Sequence, residues 1–406
     1  MLYKIPAFTL LCAFAVFVLS ACASAAPTAT PEAMMGKTPD AMTKPTDAMV
    51  MEKTPDTMTK PTDAAMMEKT PNVMAHPTEA MMKETPDAMA HPTDAAMMME
   101  KFAWQQINTS NAPDARYDHA LAYDSAQQRI VLFGGRTTDK TFGDTWIYDL
   151  KTGAWRQVNT PGPSPRFGLA SVYDPKRKMV YLFGGQNKDF YNDTWAFDTI
   201  KETWQEVKTD GAKPDIRYGH GVALDTISDR LIVSHGFAKD GRHDDTWALD
   251  LNTNQWSNIT PQGTRPLKRC LLETAFAPAS DTLYLFGGCS SGFGPCPQGD
   301  LWALDKTGKW TQIQAPGGMP SARENPALVY DDQANRLILF GGKGGGTLDD
   351  LWVYYPDKNM WEKIAVTGPS GRSSPDAVYD AVNHRVYLFG GNTANGAVND
   401  LWVLDL

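Results

Sequence analysis

The 406-residue chain predicts an all-β fold for its last three quarters: a β-propeller of six blades with four antiparallel strands each, preceded by a disordered tether. Three observations predict it. A unit of about 50 residues recurs six times, with a glycine pair in five copies (His-Gly in the third), then Asp-Thr/Leu-Trp in all six, and in five copies a second Trp. The sixth copy stops short of that second Trp, while an unattached strand of matching sequence opens the repeat region. A fixed period of this length is the signature of units that bury their faces only by stacking on one another.

The first element is the amino terminus. Lys4 is followed by an apolar run from Ile5 to Leu19, the layout of a secretory signal peptide and too short for an ordinary spanning helix. It ends in Leu19-Ser20-Ala21-Cys22, which resembles the lipobox of bacterial lipoproteins. That resemblance implies cleavage after residue 21, acylation of Cys22 as the lipidation site, and an extracytoplasmic, lipid-anchored protein on a bacterial membrane. Each methylene that enters the bilayer contributes about 0.8 kcal/mol, so several acyl chains anchor firmly.

Residues 22–101 form the second element. Period-16 copies such as KTPDAMTKPTDAMVME place two Pro in each repeat, which breaks any helix before it passes two turns. Of 19 Met, 15 lie between Met34 and Met99, and no Trp, Tyr or Phe occurs from Cys22 to Lys101. With so little to bury against ordering entropy, the segment reads as a disordered tether. Thioether sulfur suits Cu(I), but the Met pairs and the two histidines, His76 and His91, do not repeat as a ligand set, so no metal is assigned.

The third element, residues 102–406, carries the repeat. The glycine positions are Gly134-Gly135, Gly184-Gly185, His235-Gly236, Gly287-Gly288, Gly341-Gly342 and Gly390-Gly391. Asp144, Asp193, Asp245, Asp300, Asp350 and Asp400 each stand two residues before a Trp, and a second Trp follows at 155, 204, 256, 310 and 361. In the first unit four extended runs stand out, His119–Tyr123, Arg129–Phe133, Thr145–Tyr148 and Ala154–Val158, rich in aromatic and β-branched residues and separated by turn chemistry. Such a sheet cannot bury its faces alone, and radial stacking buries both.

The glycine pair, the downstream tryptophans and the six-fold period together resemble the kelch repeat. The resemblance implies blades at about 116–158, 166–207, 217–259, 269–313, 323–364 and 372–406 plus 102–107. Phe102-Ala103-Trp104-Gln105-Gln106-Ile107 matches Ala154-Trp155-Arg156-Gln157-Val158 and is expected to supply the strand missing after Trp402.

Composition bounds the function. Formal charge is −9 with no basic block, which excludes a nucleic-acid binder. Every repeat carries an Arg before its first strand: Arg116, Arg166, Arg217, Arg269, Arg323 and Arg372. Kelch proteins that grip peptides use arginines there, so the resemblance implies an Arg-lined mouth that attracts carboxylates. A structural role for the same set, on carbonyls or aspartates, stands beside that reading. The loops after the glycines differ between blades and are expected to set specificity, with Tyr191, Arg242, His243 and Lys343 as candidate contacts beside Arg136, Asp189 and Phe293. Cys289 and Cys296 are the expected disulfide, with Cys270 a rival partner for either.

The function read from the sequence is therefore a membrane-anchored, monomeric binding module for a protein or carbohydrate ligand, with no cofactor and no catalytic residue assigned. One alternative is a periplasmic sugar mutarotase of the sialic acid mutarotase type, for which Glu324 and Glu273 are the carboxylates near the mouth. Another is a structural envelope protein.

Overall fold

The repeat folds as its chemistry dictates, and blade one shows how. The opening strand β1 (Ala103–Ile107) is followed by β2 (Ala120–Asp124), β3 (Arg129–Phe133), β4 (Thr145–Asp149) and β5 (Ala154–Val158). This computed structural model describes residues 102–406; the expected leader (1–21), lipidation site and tether (22–101) lie outside the described residues. Strands β2 to β5 form one antiparallel sheet in chain order. At the β2–β3 turn, Asp124 accepts the N–H groups of Ala126 and Gln127 on one carboxylate oxygen, the Asx-turn device that lets the strand reverse. Asp149 does the same for Lys151 and Thr152 between β4 and β5.

Five further sheets repeat the pattern. Their innermost strands are Ala170–Asp174, Gly221–Asp225, Glu273–Ala277, Ala327–Asp331 and Asp376–Asp380. Each lies against the next, and the sixth lies against β2, so the sheets close a ring of six. The last blade has the order expected of the missing strand: β1 pairs antiparallel with Leu401–Asp405, with Trp104 opposite Leu404 and Ile107 opposite Leu401.

Aromatic packing joins the blades. In every blade but the fourth, the second Trp meets the preceding blade's Phe edge-on or tilted: Trp204 on Phe133 at 5.3 Å, Trp256 on Phe183 at 5.4 Å, Trp361 on Phe286 at 5.6 Å. Trp155 and Phe389 close the ring at 5.2 Å, and Trp104 on Phe340 at 5.3 Å seats β1. Edge-to-face contacts of this kind add about 0.5–1.5 kcal/mol each beyond the area they bury.

The glycine pair is required by backbone approach. Gly134 and Gly135 have φ of 69° and 94°, and a Cβ on Gly134 would stand 2.6 Å from the carbonyl oxygen of Arg166 in the next blade. That carbonyl accepts the Gly135 N–H at 2.9 Å, a bond repeated around the ring and closed by Gly391 N–H on Arg116. No helix among the described residues is long and apolar enough to cross a membrane.

Candidate functional site

The six arginines expected at the mouth are buried instead, none more than 1% exposed. Each guanidinium is consumed within its own blade. Arg116 donates from Nε to the Asp114 carbonyl, from Nη1 to the Gly134 carbonyl, and from Nη1 and Nη2 to both carboxylate oxygens of Asp144 at 2.7 and 3.0 Å. Trp146 Nε1 donates to the same Asp144 at 2.7 Å. The set recurs as Arg166 with Asp193, Arg217 with Asp245, Arg269 with Asp300, Arg323 with Asp350 and Arg372 with Asp400. Burial pushes these aspartates up, but the arginine's hydrogen bonds and charge outweigh it and hold every carboxyl below the ordinary range. The expectation of an Arg-lined mouth is corrected on this point: all six guanidinium groups are buried against their own aspartates and carbonyls. Taking one arginine away strands its aspartate, a loss of about 3–5 kcal/mol for a broken buried pair.

The remaining candidates divide. Tyr191 covers a guanidinium, with Arg166 4.0 Å over its ring, and so belongs to the framework. Arg242 donates to the carbonyls of Cys289 (3.0 Å) and Ser291 (2.8 Å) and so holds the blade-four loop. His243 is half-buried 3.7 Å from Asp240, with its ring pushed down by burial and by Arg217. Lys343 is exposed and pairs through its backbone with Glu324. Cys289 and Cys296 form the disulfide, and Cys270 is buried outside it. His119 and His220, three residues after their arginines, pack edge-on against Phe389 and Phe183 and are pushed down to about 3, first by burial and then by the nearby arginines.

The face expected to carry the mouth is built from the residue after each Arg and the residue after each glycine pair, which bridge one another. Tyr117 pairs with Arg136, Phe167 with Gln186, Tyr218 with Phe237, Cys270 with Cys289, Glu324 with Lys343 and Ser373 with Asn392. The face is thus divided. Blades one to three carry an aromatic cluster in which Tyr117, Phe190 and Phe237 are half-buried and Phe167 and Tyr218 lie buried beneath them: Tyr218 lies 6.3 Å from Phe167, 5.8 Å from Phe190 and 5.8 Å from Phe237. Arg136 spreads 4.0 Å over Phe167 while its Nε donates to Asp118 at 2.8 Å. Blades four to six offer Glu324, Lys343, Asn392 and the disulfide, and Phe293 stands 53% exposed on the clipped loop.

Inside that face the innermost strands begin with a closed ring of six hydrogen bonds. Gly168 N–H donates to Asp118, Gly219 to Gly168, Leu271 to Gly219, Asn325 to Leu271, Ser374 to Asn325 and Asp118 to Ser374, over 2.7 to 3.3 Å. All six residues are left-handed, with φ between 50° and 61°. The ring rims a central cavity of about 370 Å³ lined by all six blades. Besides Asp118, which accepts from Arg136, two acids line it. Glu273 and Asp376 occupy the first position of their strands, where the other blades have Ala120, Ala170, Gly221 and Ala327. Asp376 accepts the N–H groups of Leu121 and Ala377 at 2.7 Å, yet enclosure pushes it up to about 7. Burial, then Asp376 and Asp118, push Glu273 well up. Both residues are half-buried in the cavity wall. Sequence reasoning named Glu273 but missed Asp376, Asp118 and the aromatic cluster. Setting the repeats position by position exposes them, since these are where small or varied residues give way to charge or rings.

The comparisons with known proteins agree with this architecture. Residues 86–288 and 273–406 match the KLHDC2/KLHL20/DRC7 Kelch-repeats domain. The flagellar outer-arm dynein alpha chain of Chlamydomonas reinhardtii is 25% identical over 275 residues, 62% of this chain and 6% of the dynein. Serine/threonine-protein phosphatase BSL2 of Arabidopsis thaliana is 34% identical over 137 residues, 33% of this chain and 13% of the phosphatase. The leucine-zipper-like transcriptional regulator 1 homolog of Drosophila melanogaster is 28% identical over 262 residues, 60% of this chain and 26% of that protein. The chain therefore spans no more than about a quarter of these relatives' own lengths. Kelch propellers generally mediate protein binding. Glycine pair, Arg–Asp–Trp hub, ring of six and sequence match meet in one statement: the chain belongs to the kelch-repeat family.

Proposed function

We propose that the chain is a lipid-anchored, extracytoplasmic binding module that holds a protein partner on the face carrying Tyr117, Phe167, Phe190, Tyr218, Phe237 and Arg136. The observation that carries the reading is this aromatic cluster with an arginine laid across it. Rigid rings and arginine are the residue types that concentrate binding energy in protein interfaces. They replace the six buried arginines as the expected contacts. The lipobox-like Leu19-Ser20-Ala21-Cys22 supports the anchor, and the Pro-rich repeat supports a spacer between membrane and propeller.

The test is capture from envelope extract by immobilised residues 102–406. A discrete polypeptide retained by the wild type is expected to be lost, by tenfold or more, in the double variant Arg136→Glu, Phe190→Ala. It is expected to persist in Ile227→Ser, a change at an exposed residue on the turn after an innermost strand. Equal capture by all three moves the contact off this face, and no saturable partner at all points to a structural envelope protein. Labelled palmitate incorporated into the full chain but not into Cys22→Ser tests the anchor.

One observation favours a second reading. A carboxyl held near 7 inside a cavity is suited to general acid–base transfer on a small ligand, as in sugar anomerisation. The cavity offers carboxyls rather than spare arginines, so a neutral sugar fits it better than an acidic one. Anomerisation followed by NMR and abolished by Asp376→Asn is the outcome that would favour it.

A further inference from the structure

The blade-four loop carries three cysteines in one place, and their surroundings go beyond a static staple. Cys270 N–H donates to the Cys289 carbonyl at 3.1 Å and Cys289 N–H donates back at 2.8 Å. Partners in such a hydrogen-bonded antiparallel pair stand with Cα atoms roughly 5.5 Å apart and side chains on one side. That separation lies inside the range of roughly 4.4–6.8 Å that a disulfide spans. Cys289 is therefore bonded to Cys296 while its backbone partner across the bridge is a second cysteine, in a pairing whose usual Cα separation a disulfide can span.

The two sulfurs of the disulfide differ in setting. Cys289 is fully buried, and Arg242 Nη2 lies 3.5 Å from its Sγ while the same guanidinium pins the loop's carbonyls. Cys296 is exposed, and a carboxylate oxygen of Glu324 lies 3.9 Å from its Sγ. A disulfide sulfur has no proton to give, so a hydrogen bond across that gap comes from protonated Glu324. Burial pushes the Glu324 carboxyl up against the pull of Lys343 and Arg242, which favours that form. With both sulfurs in a disulfide, the grouping of Cys289, Cys296 and Glu324 is no thiolate metal site.

We propose that Cys270, Cys289 and Cys296 form a thiol–disulfide exchange site that converts the clipped loop into an open one bearing a reactive thiol. The Cys270 thiolate attacks Cys289 Sγ. The Cys270–Cys289 bond forms as the Cys289–Cys296 bond breaks, and the electron pair leaves on Cys296 sulfur. One disulfide and one thiol stand on each side of the step, so no oxidant or reductant is consumed. The Cys270 proton passes to solvent, and the Cys296 thiolate takes a proton from Glu324. The product displays an exposed thiol beside Phe293 and frees residues 290–295 from their clip.

The experiment uses the full, oxidised chain incubated with iodoacetamide, then digested and mapped by mass spectrometry, which separates the peptides of Cys12 and Cys22 from the rest. Alkylated Cys296 is expected together with an equal amount of a Cys270–Cys289 disulfide peptide. The rate should rise roughly ten- to a hundredfold from pH 6 to pH 8, because the attacking species is the thiolate. Glu324→Gln should slow labelling several-fold with the melting temperature unchanged. The variant Cys296→Ser, altered at an exposed position, should form the Cys270–Cys289 disulfide on exposure to oxidised glutathione. Label on Cys270 with Cys289–Cys296 intact, absence of label, or a rate that climbs with sub-denaturing urea as global unfolding does, each overturns the proposal. So does a Cys296→Ser protein whose two thiols stay reduced.

Discussion

At residue 234 the protein breaks its own pattern and repairs it one position later. Five blades place Phe before the glycine pair, at 133, 183, 286, 340 and 389; blade three has Ser234 followed by His235. His235 adopts φ of 62°, a left-handed conformation that costs a residue with a Cβ about 1–2 kcal/mol. What offsets the cost is packing. The imidazole meets Trp310 edge-on at 6.3 Å, filling the place a phenyl ring takes elsewhere, and its Nδ1 is 2.7 Å from the Ser234 hydroxyl. Burial pushes the ring down to about 3, so it packs as a neutral group. His235→Gly alone is expected to lose about 1–3 kcal/mol, since the void beside Trp310 outweighs the relieved backbone. Combined with Ser234→Phe it should recover wild-type stability or better in urea melts. A double variant no more stable than the single would show that the blade-three pocket does not accept the phenyl ring.

Among the strands and hubs, repetition separates framework from function. The glycine pairs, both tryptophan sets and the closing strand were readable in the sequence because each serves a contact made in every blade. The arginines were equally readable, yet their role was open, because a guanidinium facing a ligand and one facing Asp144 leave the same spacing. Six-fold recurrence favours the framework role, since a ligand on a ring of unlike loops does not touch all six blades alike. Asp376 and the Phe190 cluster occur once each, so no period marked them. The same logic singles out β1. A Cβ on Gly368 would stand 2.3 Å from the Trp104 indole, so the closing strand is seated as tightly as Trp204 is on Gly162, where the distance is 2.6 Å. Trp104→Ala is expected to cost about 3–5 kcal/mol. It should also release hydrogen-exchange protection first in Leu401–Asp405, the strand β1 covers. Trp204→Ala should cost a similar amount and leave that strand protected. Equal loss of protection in both variants would show that the ring has no special seam.

For the whole propeller, two sets of carboxyls pull stability in opposite directions with pH. The six hub aspartates have folded pKa values below their unfolded ones. Their contribution is present above the ordinary carboxylate range near 4 and is lost as pH falls through the folded values. Asp376, pushed up to about 7, and Glu273, pushed well up, behave inversely. In the fold they hold protons that the unfolded chain releases near 4, so stability is full below that pH and declines as pH climbs toward 7 and beyond. The melting temperature should therefore peak in mildly acidic solution, fall gradually toward neutrality and drop steeply below about 4, where six hubs protonate together. Asp376→Asn, which cannot ionise, should flatten the neutral limb and leave the acid limb in place. A neutral limb unchanged in that variant would mean the channel carboxyl is solvated well enough to ionise at its ordinary pH, and the acid–base reading of the cavity would fall with it.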